Sequence, residues 1–260
     1  SISGIRGTIG GVPDENLTPI DAVKFAAAYG TWLKENLNKA NIKVVVGRDA
    51  RISGEMIQNL VQYTLVGLGI NVVDIGLSTT PTVEVAVTME KADGGIILTA
   101  SHNPKQWNAL KLLNNKGEFL SAKEGERILT IAQENKVVFA DVEDLGRISH
   151  DNTYIQKHIE AVLGLLTSST IEAIRNCKFK VVVDAVNSTG GIAIPKLLEH
   201  FGVEVVRLYC EPNGHFPHNP EPLKEHLGDI CKKVLEEKAD FGIVVDPDVD
   251  RLAFITEEGE

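Results

Sequence analysis

Two stretches of this chain carry side chains in patterns suited to chemistry. The first is T-A-S-H-N-P, residues 99–104, in which Ser101 follows a hydrophobic run at 95–98. The second is D-P-D-V-D-R, residues 246–251, which sets three carboxylates on alternate positions and closes with Arg251. It too follows a hydrophobic run, 241–245, and both runs read as buried strands. Asp246, Asp248 and Asp250 form a compact set of oxygen donors for a hard divalent cation. Mg2+ typically takes a few carboxylates and completes its shell with water or phosphate oxygens. A serine hydroxyl paired with a magnesium site points to phosphoryl transfer.

Plainer readings compete with this one. A D-x-D-x-D run also opens an EF-hand calcium loop, and Glu257 falls at the twelfth position counted from Asp246. The sixth position of that loop turns sharply and is normally Gly, whereas here it is Arg251, and the flanks FGIVV and LAFIT are β-like rather than helical. Acidic clusters are most often solvated surface, and an isolated serine ahead of Asn-Pro is most often a turn or cap residue. Each pattern weakens the plain reading of the other when both are present.

The elements that must position these residues alternate regularly. Thr18-Pro19 opens a helix to about 36, and IKVVVGRD reads as a strand ending at Arg48-Asp49. Ser53 is placed to cap a second helix to about 68. NVVDIG follows as a strand, then TPTVEVAVTMEKA as a helix with Pro81 at its start. GGIILTA is the strand whose exit carries Ser101, with ALKLLN beside it, and Ser121 and Glu124 form a capping box for a helix to about 134. The pattern then restarts, with a helix over 153–166, the strand KFKVVVDAV, the helix GGIAIPKLLEHF and the strand VEVVRLY. The loop EPNGHFPHNPEP follows, then a helix over 223–238 and the strand FGIVV. Two such βα arrays predict an α/β protein with two doubly wound, mixed but mostly parallel sheets, divided between 1–147 and 148–260. Ligands of such sheets bind beyond the carboxyl ends of strands, where Asp49, Ser101 and Asp246 are all expected.

Composition narrows the partners. Lys and Arg number 26 against 36 Asp and Glu, a net charge of −10 that argues against nucleic acid. Local positive charge is still present beside the motifs at Arg6, Arg48, Arg51, Lys111 and Arg251. No stretch approaches a membrane span, and the start SISGIRG is unlike a signal peptide. The three cysteines, with no C-x-x-C spacing, suit reduced thiols in a cytoplasmic protein.

Taken in order, the motifs resemble those of the α-D-phosphohexomutase family. TASHNPKQWNALK, residues 99–111, looks like the family's phosphoserine loop, and DPDVDR like its metal loop. SGIRG at 3–7 resembles the segment that brings an arginine to the site, and GRDARISG at 47–54 a second basic loop. PNGHFPHNPEP resembles the proline-rich segment ahead of the metal loop. Two positions depart from the pattern: Ala109 stands where many members have Gly, and Val249 where most have Gly. Valine resists positive φ, so a loop that keeps a left-handed residue there would be strained.

The resemblance implies a phosphohexomutase that interconverts hexose 1-phosphates and 6-phosphates, of glucose or mannose, through a phosphoserine and a 1,6-bisphosphate. Phosphoglucosamine mutase is the alternative, and a phosphohydrolase or a non-catalytic phosphate- or metal-binding module stays open beside it. Ser101 would carry the phosphate, with Mg2+ held by Asp246, Asp248, Asp250 and a phosphate oxygen on Ser101. Lys111 would act as general base and then acid, with His102 assisting, provided burial and neighbouring charge lower its pKa. Arg251 would offset charge on the transferring group, while Arg6, Arg48 and Asn103 would bind the phosphosugar. Nothing in the 260 residues matches the family's third and fourth domains, so the chain reads as the amino-terminal half of an enzyme whose remaining half is its partner.

Overall fold

The computed structural model describes residues 4–37, 39–134 and 136–260. Ser3, the first residue of the SGIRG segment, lies outside them. The chain divides into two units, the first built from 1–48, 53–100 and 106–154, the second from 155–260 together with 49–52 and 101–105.

The first unit contains strands β1 (Ile5–Thr8), β2 (Lys43–Arg48), β3 (Asn71–Leu77), β4 (Gly94–Leu98), β5 (Trp107–Leu113) and β6 (Ile148–His150) in the sheet order β1-β5-β4-β2-β3-β6. Strands β2, β3, β4 and β6 are parallel, while β5 runs antiparallel to both β4 and β1. Helices α1 (Pro19–Asn36), α2 (Gly54–Gly67) and α4 (Ala122–Glu134) bury one face, around Val44, Val46, Ile96, Leu98, Leu110 and Leu112. Helix α3 (Thr80–Met89) covers the other, around Val45, Ile97 and Leu113. Local chemistry starts these helices where expected. Thr18 and Asp21 cap α1 reciprocally, Thr79 accepts from the Thr82 amide at the start of α3, and Ser121 and Glu124 bond each other's amides before α4. Ser53 does not cap α2. Its backbone is already helical, and its hydroxyl instead accepts from Asn108 Nδ2 at 2.9 Å.

The second unit repeats the path on a smaller scale. Helices α5 (Tyr154–Leu163) and α6 (Ser168–Cys177) precede β7 (Lys180–Asp184), α7 (Gly190–His200), β8 (Glu204–Leu208), α8 (Gly228–Glu237), β9 (Phe241–Val245) and β10 (Leu252–Thr256). The order is β10-β9-β7-β8, parallel except for β10. One face packs Val182, Val244 and Ile255 under α8, and the other packs Val181 and Val183 with side chains of α6 and α7.

Three details differ from the sequence reading. The helix expected over 153–166 ends at Leu163, and a second one follows, capped by Thr167 on the Thr170 amide. The helix expected over 223–238 is a 3-10 turn, Lys224–His226, followed by Gly228–Glu237. The division expected at 147/148 falls later. Strand β6 pairs with β3, and Tyr154 packs in the core beneath α3 with its hydroxyl on Glu90. Among the described residues no helix is long and apolar enough to cross a membrane.

Candidate functional site

Ser101 lies in the connection between β4 and β5, and Asp246 begins the one between β9 and β10. By their contacts 101–105 and 49–52 group with the second unit, so the serine and the acidic run belong to one unit although 145 residues separate them in sequence. Ser101 is buried, with its backbone at φ 50°. Its hydroxyl donates to Asp246 Oδ2 at 2.8 Å, with Asp250 Oδ1 and His102 Nδ1 each at 3.4 Å.

Asp246, Asp248 and Asp250 each place a carboxylate oxygen within 4.8 Å of the others. Asp246 and Asp248 are fully buried and Asp250 is exposed. Burial, reinforced by the charges of Asp248 and Asp250, pushes the Asp246 carboxyl well above the usual carboxylate range. Three hard oxygen donors with one open side, holding mutually repelling charge, fit a divalent cation that would relieve the repulsion.

The loop is held from behind. The amides of Asp250 and Arg251 donate to Asp246 Oδ1 at 3.2 and 3.1 Å, while the hydroxyls of Ser188 and Thr189, ahead of α7, both donate to the Pro247 carbonyl at 2.6 and 2.9 Å. Val249 takes φ 64°, so the turn keeps the left-handed geometry that Gly would accept freely, and it does so with a β-branched residue. Ala109 raises no such difficulty, since it lies within β5 and pairs with Arg6.

The other expected site residues are dispersed. Arg251 is exposed, and its guanidinium is engaged by Glu221 at 2.8 Å rather than turned to the triad; the proline-rich loop supplies that carboxylate. Lys111, Arg6 and Arg48 belong to the first unit. Lys111 is buried on β5 with its ammonium 5.7 Å from the Phe119 ring centre. Arg6 stands on β1. Arg48 donates from Nε to Gln58 Oε1 at 2.8 Å, and Gln58 in turn donates to Asp74 at 2.6 Å. Asn103 offers its carbonyl to Arg51 at 2.7 Å.

Arg51 received no role from the sequence, yet it is fully buried. Nε pairs with Asp49 at 3.0 Å, Nη1 donates to Pro104 O at 2.8 Å, and Nη2 donates to Ser101 O at 2.5 Å as well as to Asn103 O. Phe216 of the proline-rich loop lies over the guanidinium at 5.1 Å. The approach of that loop depends on Gly214, at φ 74°, where a Cβ would stand 2.1 Å from the Ala50 carbonyl oxygen. An Asp and an Arg two residues apart, just beyond a strand end, are the signal that could have identified the pair.

Residues 2–138 match the family description "Phosphoglucomutase/phosphomannomutase, alpha/beta/alpha domain I", and 154–259 match "alpha/beta/alpha domain II". The chain is 37% identical over 256 residues to a phosphoglucomutase/phosphomannomutase of Thermococcus kodakarensis, covering 97% of this chain and 55% of that protein. It is 34% identical over 259 residues to a probable phosphoglucosamine mutase of Methanopyrus kandleri, covering 99% and 54%. Among solved structures, a putative phosphomannomutase from Thermus thermophilus superposes with TM-score 0.84 at 27% identity, over 100% of this chain and 57% of that one. This chain therefore spans about half the length of the curated relatives it matches. With both domain descriptions matched in order across its length, the chain belongs to the phosphoglucomutase/phosphomannomutase family.

Proposed function

We propose that this chain supplies the phosphoryl-carrying and cation-binding parts of a phosphohexomutase that interconverts the 1- and 6-phosphates of glucose or mannose. The observation that carries the reading is the 2.8 Å hydrogen bond from the Ser101 hydroxyl to Asp246, inside a cluster of three carboxylates. On this reading the resting enzyme carries phosphate on Ser101. Asp246, Asp248 and Asp250 would hold Mg2+, which would offset negative charge on the transferring group. Lys111 takes the proton from the attacking sugar hydroxyl, the phosphorus–oxygen bond to Ser101 breaks, and a new one forms to the sugar. The resulting hexose 1,6-bisphosphate turns round, its other phosphate passes to Ser101, and Lys111 returns the proton. His102 assists this exchange, Arg251 offsets charge once released from Glu221, and Arg6, Arg48 and Asn103 steady the sugar phosphates.

The relatives extend well beyond the length matched here, and we assign the sugar-reading and distal phosphate contacts to that remainder. A glucosamine phosphate substrate is the second reading, favoured by the name of the Methanopyrus relative. A cytoplasmic location fits the three unpaired cysteines, Cys177, Cys210 and Cys231.

The test is mass spectrometry of the enzyme at its native length after treatment with glucose 1,6-bisphosphate. Phosphate should appear on the peptide containing Ser101 and vanish in Ser101→Ala; label that survives the substitution refutes the assignment. Steady release of inorganic phosphate without sugar-phosphate interconversion would instead identify a phosphohydrolase.

A further inference from the structure

We infer that Arg51 is the positioning residue of the Ser101 loop, a buried clamp that sets the direction of the serine hydroxyl rather than a ligand for the anionic substrate. The inference rests on the proposal that Ser101 carries the phosphoryl group, and it adds a residue whose charge alone would place it among the phosphate ligands.

Geometry assigns it otherwise. A guanidinium is a rigid planar fork, and here each arm is spent on the protein itself. Asp49 accepts from Nε, and the Arg51 amide donates to the same carboxylate at 2.9 Å, which fixes the plane of the fork from one side. The other two nitrogens reach the carbonyls of Ser101, Asn103 and Pro104, three of the four residues from the serine to the proline. Phe216 covers the face of the group, and neither Arg51 nor Asp49 has side-chain surface open to solvent.

The serine loop needs such a clamp. Ser101 sits at φ 50°, a left-handed conformation that a non-glycine residue keeps only when its surroundings over-determine it. Converging three carbonyls on one cation holds that turn, and the turn aims the hydroxyl at Asp246. The stretch that carries Asp49 and Arg51 also reaches the acidic run. The Ala50 amide donates to Ser188 Oγ at 3.3 Å, and that hydroxyl donates to the Pro247 carbonyl between Asp246 and Asp248. Lysine cannot replace the arginine, because a single ammonium cannot meet Asp49 and three carbonyls in one plane.

The experiment compares Arg51→Lys with the unsubstituted enzyme at its native length, using two readouts. Amide hydrogen exchange across 101–105 should accelerate by at least about tenfold, with the strands β7 and β9 unchanged, since the clamp governs a local opening. Phosphate uptake by Ser101 from glucose 1,6-bisphosphate should slow by roughly a hundredfold in its maximal rate, the order expected for a misplaced reacting group, with half-saturation moved less than about threefold. A raised half-saturation with unchanged exchange would make Arg51 a substrate ligand and overturn the inference, as would no change in either readout. If the unsubstituted enzyme takes no phosphate on Ser101, the proposed function fails while the exchange arm still decides the clamp. Should Arg51→Lys not fold, Asp49→Asn removes the anchoring charge and leaves the fork. Faster exchange confined to 101–105 is then expected, and wild-type protection there would overturn the inference.

Discussion

The two units follow one chain path and finish it differently. In each, three parallel strands joined by helices lead to an antiparallel strand, β5 in the first and β10 in the second. The registers align residue by residue, with Leu98 opposite Leu110 and Val245 opposite Leu252 at the same station. The connections at that station carry the chemistry, a hydroxyl after β4 and carboxylates after β9. The edges, however, part company. Leu110 and Leu112 are covered by α1, α2 and α4 and flanked by β1, while their counterparts Leu252 and Phe254 are 55% and 64% exposed on an open edge. On the opposite face the counterparts Leu113 and Ile255 are both buried. One sequence period thus yields a closed core in one unit and an uncovered apolar strand in the other, and the difference lies in what flanks the strand.

The two strands differ most when a side chain on each is truncated. Leu110→Ala should destabilise the first unit by about 2–5 kcal/mol, the usual cost of a cavity under closed packing, whereas Leu252→Ala should cost less than about 1 kcal/mol. Urea unfolding separates them. Both tryptophans, Trp32 and Trp107, lie in the first unit and report it alone, while circular dichroism follows both units. Equal losses at the two positions would mean that the β10 edge is covered in solution.

The two reactive connections share a left-handed residue, Ser101 in one and Val249 in the other. Serine is needed for its hydroxyl, but nothing in the chemistry asks for valine. Val249→Gly should therefore leave cation binding intact and raise stability by up to about 1 kcal/mol, part of the cost of a left-handed L-residue. A clear loss of stability would show that the contacts of the Val249 side chain outweigh the strain.

A smaller effect follows from His218, which bonds Asp184 at 3.0 Å and the Asn219 carbonyl at 2.8 Å. Burial works against its charged form, but the hydrogen bond and charge of Asp184 more than offset it, so its pKa is raised. The charged ring then stabilises the native state fully below about pH 6.5, the unfolded value, and that contribution is lost as pH rises through the higher native value. Thermal midpoints should fall over that window in the unsubstituted chain and stay flatter in His218→Gln. The comparable pair of the first unit, His150 with Asp74 at 3.1 Å, leaves its ring open to solvent. Identical profiles for the two proteins would show that His218 does not contribute to the pH dependence of stability.

Much of this was legible in the sequence for physical reasons. Long apolar strands followed by capped helices announce themselves by period, and Ser101 and the aspartates stood out because hydroxyl and carboxylate chemistry seldom coincide by chance. What escaped were elements whose signal is tertiary. Strands β1 and β6 are four and three residues long and become strands only by pairing with β5 and β3. Helix α6 shows few apolar positions, Ile171 and Ile174 being the ones that pack. Arg51 reads as one more basic residue near a motif until its partners at 101, 103 and 104 are seen. The partner of the Arg251 guanidinium, Glu221, lies thirty residues back in the proline-rich loop, a contact that spacing within the acidic run does not show.

If Ser101 and the three aspartates share one cation, calorimetric titration of Mg2+ into the chain with and without phosphate on Ser101 will show it. Shared coordination predicts at least about tenfold tighter binding to the phosphorylated form, because a phosphate oxygen joins the carboxylates and the two equilibria are reciprocally linked. Equal affinity for the two forms, or a gain on phosphorylation that persists undiminished in Asp248→Asn, would contradict it.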